Sequence, residues 1–246
     1  MARIVEKTVY QFNELSDRSK DKAREHFRSI NDFDPEFDDF IQVATILGIT
    51  FKEDKKGGAR ILYSGFSSQG VGACYEGTYA ANKDAPKLIR EYAPQDEVLH
   101  RLADALDEIQ KANNYDVAAT CWHTDPHYYH CYTMGVDVTL SNGEPSGVEG
   151  TAEKVVGVMR HFANWIYKQL NDEYDHEQSN EYVDECRAEW TGDTREFVVM
   201  TDAEFAKADV LVETYNLLNP SGGVVMIRKS QLGGCCDPAT ETYHCT

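Results

Sequence analysis

Residues 94–140 read PQDEVLHRLADALDEIQKANNYDVAATCWHTDPHYYHCYTMGVDVTL, and the change of period inside this stretch decides the fold class. Over 94–113, Val98, Leu102, Ala105, Leu106 and Ile109 recur at helical steps with charges between them, the stripe of a helix with one buried face. Asn113-Asn114 ends it. Residues 116–122 and 128–140 are rich in β-branched and aromatic types and predict two strands of a hairpin around Asp125-Pro126. Helices mixed with hairpins, without strict strand–helix–strand alternation, predict an α+β fold with a largely antiparallel sheet.

Working outward, residues 3–12 predict a strand, and Ser16 an N-cap for a helix carrying Ala23, Phe27 and Ile30. A second helix is expected from Pro35 or Glu36, with Phe37, Phe40, Ile41, Ala44 and Leu47 on one face and Gly48 as its stop. Strands follow at 49–51, 61–66 and 73–79, with a turn at Gly57-Gly58. Downstream, 141–150 is a linker or long loop. A second long helix then has Val155, Met159, Phe162, Ile166 and Leu170 inward. Residues 194–200 and 222–229 predict strands and 202–218 a helix. The expected architecture is a main α+β domain over 1–197, its sheet packed by two long helices, and a small α/β extension over 198–246.

The chain of 246 residues carries a formal charge of −18, with hydrophobic residues at 41% and aromatic residues at 11%. That composition supports a packed core and excludes a disordered chain. Nucleic-acid binding requires Lys and Arg to displace counterions, so this balance disfavours it, and anionic membranes likewise. No apolar run approaches the length of a membrane span. The first residues show no secretory h-region, so the seven cysteines are expected to be reduced thiols in the cytoplasm.

Three stretches could carry chemistry. The first is YSGFSSQGVGACYEG, residues 63–77, a Gly/Ser loop between aromatic strands. Ser64, Ser67, Ser68, Gln69, Gly70 and Gly72 would offer hydroxyls and open backbone, walled by Tyr63, Phe66 and Tyr75. It is neither a P-loop nor a dinucleotide fingerprint, and the alternative is a glycine-rich hairpin turn. The second is 121–131, where Cys121, His123, His127, His130 and Cys131 are of zinc-ligating types without the spacing of a closed zinc module. No metal and no cofactor is therefore expected, and the alternative is a hairpin with aromatic and imidazole cross-strand pairs. The third is 172–196, where ten acids, Asp172, Glu173, Asp175 and Glu177 first among them, stand against Arg187 and Arg195. It is either a solvated helix face or a surface that steers a basic partner. Lesser candidates are the acids from Asp32 to Asp39, where Pro35 argues against a calcium loop, a metal site of Cys235, Cys236, His244 and Cys245, and a nucleophile at Cys74 with no base nearby in sequence.

In order along the chain come FNELSDRSKDKAREHFR (12–28), YSGFSSQGVGACYEG (63–77), IREYAPQDEVLHRLADALDEIQ (89–110), HYYH (127–130) and FANWIYKQLNDEYDH (162–176). This series resembles a group of phage and prophage proteins commonly labelled antitoxin of a toxin–antitoxin stability system. The resemblance covers about residues 5–190. The family loop usually reads Gln-Gly-Asp-Gly, whereas here Val71 stands in the place of the Asp. The resemblance implies a mobile-element origin and an intracellular setting. With the charge pattern, it leads to an expected function: an acidic interaction protein, rather than an enzyme, that binds and neutralises a host or rival protein with a basic surface. The competing expectation is a small-ligand protein, a nucleotide-binding sponge or metal-assisted hydrolase, built on the Gly/Ser loop and the His/Cys hairpin.

Overall fold

The computed structural model describes residues 12–15, 17–30, 32–66, 70–191, 196–200 and 224–228, with backbone alone at 30, from 187 to 191, and in the last two segments. The fold is α+β. Two compact units divide it: Asp34–Tyr174, and the described parts of Met1–Phe33 with Asp175–Thr246.

In the first unit, α2 (Asp38–Leu47) follows α1 (Asp17–Ile30) of the second unit in the chain. Then come strands β1 (Ile49–Phe51), β2 (Ile61–Tyr63), β3 (Ala73–Tyr75) and β4 (Gly77–Tyr79), and helices α3 (Ala85–Tyr92) and α4 (Glu97–Ala112). The hairpin β5 (Val117–His123) and β6 (Met134–Leu140) precedes the helix α5 (Thr151–Glu177). The main sheet has the order β1-β4-β5-β6, antiparallel throughout, and β2-β3 is a separate antiparallel pair.

The run expected as one strand over 73–79 is two strands in two sheets. Glu76 is the crossing point: its N–H donates to Arg60 O at 3.1 Å and its carbonyl accepts from Lys52 N at 2.8 Å. A Cβ at Gly77 would lie 2.3 Å from Thr50 O, so only glycine lets the strands meet here. Gly48 ends α2 with a φ of +85°, as the stop signal predicts.

The core lies between one face of the sheet and helices α4 and α5. Val155, Met159, Phe162, Ile166 and Leu170 are all fully buried, and Phe162 stacks on Phe51 at 6.4 Å. On α4 the buried stripe is Leu99, Leu102, Ala103, Leu106 and Ile109. Val98, expected inward, is 39% exposed, while Leu99 is buried in its place; Asp96 caps the helix at Val98 N and Leu99 N. Ile41, expected on the buried face of α2, is likewise 39% exposed, while Phe40, Val43 and Leu47 are buried. Gln110, 2% exposed, ties α4 to the sheet: its Nε2 donates to Tyr79 Oη at 3.0 Å and to Val117 O at 2.7 Å, and its Oε1 accepts from Val117 N at 3.1 Å. Residues 141–150 form a loop inside this unit rather than a linker between units.

In the second unit, α1 and α6 (Asn180–Thr191) are joined by a two-pronged ion pair. Arg24 Nε donates to Asp184 Oδ1 at 3.0 Å and Nη2 to Oδ2 at 2.7 Å. Strands β7 (Glu196–Met200) and β8 (Val224–Arg228) pair in parallel, in contrast to the antiparallel pairing elsewhere. Of the expected strand over 3–12, only Phe12 is described, and it opens a short 3-10 helix (Phe12–Glu14) instead; the Ser16 cap, the helix over 202–218 and the Cys/His tail lie outside the described residues.

Candidate functional site

The Gly/Ser loop leaves β2 after Tyr63 and returns to β3 at Ala73. Its base is closed by Ser64, whose N–H donates to Gly72 O at 3.0 Å and whose Oγ accepts from Gly72 N at 3.1 Å. Ser64 Oγ also donates to Tyr129 O at 3.2 Å, on the segment between β5 and β6. Gly72 lies against that same segment, where an added Cβ would be 2.5 Å from His130 Cβ and 2.9 Å from His130 Cα. Gly72 is not left-handed; close backbone approach is what requires glycine there. Among the described residues of the loop the left-handed one is Gly70, with a φ of +78°. Gly70 faces the Tyr128 ring, whose Cδ1 would lie 3.5 Å from a Cβ there.

On its other side the loop reaches α5 through Phe66. The Phe66 ring stacks on Tyr174 at 4.6 Å and on Tyr167 at 5.7 Å, and Tyr63 stacks on Phe66 at 6.0 Å. Tyr167 Oη donates to Gly65 O at 3.4 Å. Asp172 and Glu173, exposed on the last turns of α5, flank Tyr174 in the chain. The first unit thus brings together stretches that lie a hundred residues apart: the loop, the segment 128–130, and the start of the acidic run. Asp175 and Glu177 continue the same helix in the other unit.

The corner is electronegative. Burial, with the carboxylates of Asp34 and Glu173 near it, raises the Tyr63 phenol above its ordinary range and keeps it a hydrogen-bond donor. Asp172 is paired with Lys168 through one oxygen, and Glu173 is exposed. Tyr128 at 54% and Tyr132 at 74% exposure are the most open aromatic rings among the described residues. Neither was a site residue on sequence grounds, although the run HYYHCY contains both.

Some expected site residues do other work. Tyr75 is completely buried, its hydroxyl 3.2 Å from Met159 Sδ, and belongs to the core rather than to a binding wall. Ser67, Ser68 and Gln69 lie outside the described residues. His123 Nε2 is 2.8 Å from Tyr128 O, and His130 Nδ1 accepts from Tyr132 N at 3.1 Å, so both imidazoles fix the local backbone. His127 is exposed. Asp125 accepts from His127 N at 2.8 Å and from Tyr128 N at 3.2 Å, and these bonds to the turn, led by that from His127, lower its carboxyl pKa.

Burial raises the thiols of Cys74 and Cys121 to about 11, so both are neutral near pH 7 and neither is a ready nucleophile or thiolate ligand. The Cys131 thiol is raised in the same direction by burial. Among the described residues no three His, Cys, Asp or Glu side chains gather as a metal site would require.

A model for a domain of unknown function, DUF8835, matches residues 33–180. The chain belongs to the DUF8835 family. The match takes in the whole unit Asp34–Tyr174, and with it the loop, the 128–130 segment and the aromatic end of α5. No curated protein and no solved structure matches the chain. No helix among the described residues is long and apolar enough to cross a membrane.

Proposed function

We propose that this DUF8835 chain is an acidic interaction protein that binds and neutralises a partner protein with a basic surface, in the manner of a phage-type antitoxin or an inhibitor of bacterial immunity, in the cytoplasm of a bacterial host. The observation that carries this reading is the stacking of Phe66 on Tyr174 and Tyr167, which fuses the Gly/Ser loop to the acidic end of α5. Contact surfaces draw their binding energy from rigid aromatic rings, and carboxylates around them speed encounter with cations. Here Tyr128 and Tyr132 supply open rings, Tyr63 a protonated phenol, and Asp172 and Glu173 the field, with Asp175 and Glu177 following them in the acidic run of the sequence. The chain charge of −18 acts in the same sense and opposes nucleic acid as the partner.

The test is association kinetics with the partner that the chain captures. Neutralising Asp172, Glu173, Asp175 and Glu177 to Asn or Gln slows association at low salt and flattens its salt dependence, with little change in stability. An unchanged on-rate removes the acidic run from the interface.

A second reading has one observation in its favour. Ser64 and Gly72 touch Tyr129 and His130, so the loop and the His/Cys segment that a small-ligand protein would use are adjacent. A nucleotide would then co-purify with the chain and absorb at 260 nm. A ligand-free preparation that captures a protein contradicts it.

A further inference from the structure

The main sheet covers its core on one face only, and its other face carries a row of hydroxyls. The register aligns Thr50 with Thr78, Thr78 with Thr120, and Thr120 with Asp137. All four are exposed. None of the three Thr hydroxyls is hydrogen-bonded to another group among the described residues. Trp122 stands two residues beyond Thr120, hence on the same face. It is 43% exposed and paired with Gly135.

The indole lies against that glycine. A Cβ at Gly135 would sit 2.4 Å from Trp122 Cε2 and 2.5 Å from Cζ2. Gly135 therefore makes room for a ring that is 43% exposed and borders the hollow. Beside the ring, Glu76 accepts from Lys52 Nζ at 2.9 Å and from Arg60 Nε at 3.0 Å. Thr50, Lys52, Glu76, Thr78, Thr120 and Trp122 line a shallow hollow of about 330 Å³. That is within the lower range of small-molecule clefts.

We infer that this hollow binds a neutral carbohydrate, a β-linked pyranoside whose axial C–H face stacks on Trp122 while its hydroxyls meet the threonine row. Aromatic faces are electron-rich and attract polarised C–H groups, and an apolar ring bordered by free hydroxyls matches the two-sided character of a pyranose. The charges select against other occupants. Lys52 and Arg60 share Glu76, and Asp137 ends the threonine row, so these four charges sum to zero and give a phosphate no net positive field. A single ring without walls gives a quaternary ammonium little of the enclosure on which such recognition depends. None of these residues belongs to the corner described above, and the inference stands independently of the proposed partner.

The experiment uses the full chain with 15N-labelled tryptophan, titrated separately with cellobiose, lactose and N,N′-diacetylchitobiose. The Trp122 indole signal, assigned from its loss in Trp122→Phe, should shift saturably with at least one disaccharide, with a Kd in about the millimolar range. Thr78→Val and Thr120→Val should each weaken that binding about three- to tenfold, the size of one lost neutral hydrogen bond. Gly135→Ala should abolish it by displacing the indole. The inference is overturned if no disaccharide gives a saturable shift, if the Thr variants bind unchanged, or if choline chloride binds this indole more tightly than any of the sugars.

Discussion

Gly72 and Glu76 show how single side chains decide the architecture around the candidate site. The space for a side chain at Gly72 is already filled by His130, so Gly72→Ala overpacks the junction and should cost about 1–3 kcal/mol, read as a lowered Tm. Gly65, with nothing within 4 Å of its Cβ position and no left-handed φ, should accept alanine without loss and serves as the control. Glu76 makes a pH prediction. Burial would raise its carboxyl, but the bonds from Lys52 and Arg60 outweigh that and hold it below the ordinary value of 4.5. A folded pKa below the unfolded one stabilises the protein at neutral pH, and the benefit is lost as pH falls through the carboxylate range. Thermal melts of Glu76→Gln should therefore lie below wild type near pH 7 and converge on it in acid. A constant gap across that range contradicts the assignment.

At the scale of elements, periodicity carried most of what could be read. The α5 set from Val155 to Leu170 has one residue facing the core on every turn, and all five expected positions are buried. On α4 the stripe was legible but its rotation was not. Rotation depends on tertiary packing, and here Asp96, which caps the helix, also accepts from Trp165 Nε1 at 2.7 Å, a contact 69 residues away in the chain. The short α3 and the break at Glu76 left no legible period; β7 and β8 were legible as strands over 194–200 and 222–229, but their parallel pairing, fixed by distant backbone, was not. The corner itself was half legible. Loop and acidic run stood out by composition, but only tertiary packing places Phe66 on Tyr174 and sends Tyr75 into the core. Two measurements follow. Phe162→Ala should cost about 3–5 kcal/mol as a core truncation. Asp96→Ala should cost about 2 kcal/mol, since it removes a helix cap and strips the Trp165 indole N–H of its partner. Melting of either variant within a degree of wild type contradicts the packing described.

For the whole molecule, the account rests on one surface, in which aromatic rings of a loop and a helix are framed by carboxylates on a strongly acidic chain. The segment matched by the DUF8835 family, residues 33–180, contains that surface. Exposed carboxylates such as Glu173 contribute little to folding, so a melt of the neutralised variant separates binding from stability. The most direct measurement is capture from bacterial lysate, identified by mass spectrometry, with three equally folded baits: wild type, the four-carboxylate variant, and Tyr128→Ala with Tyr132→Ala. The account predicts one defined partner with a basic surface on wild type, sharply reduced on both variants. Identical capture by all three, or an acidic partner, would contradict it.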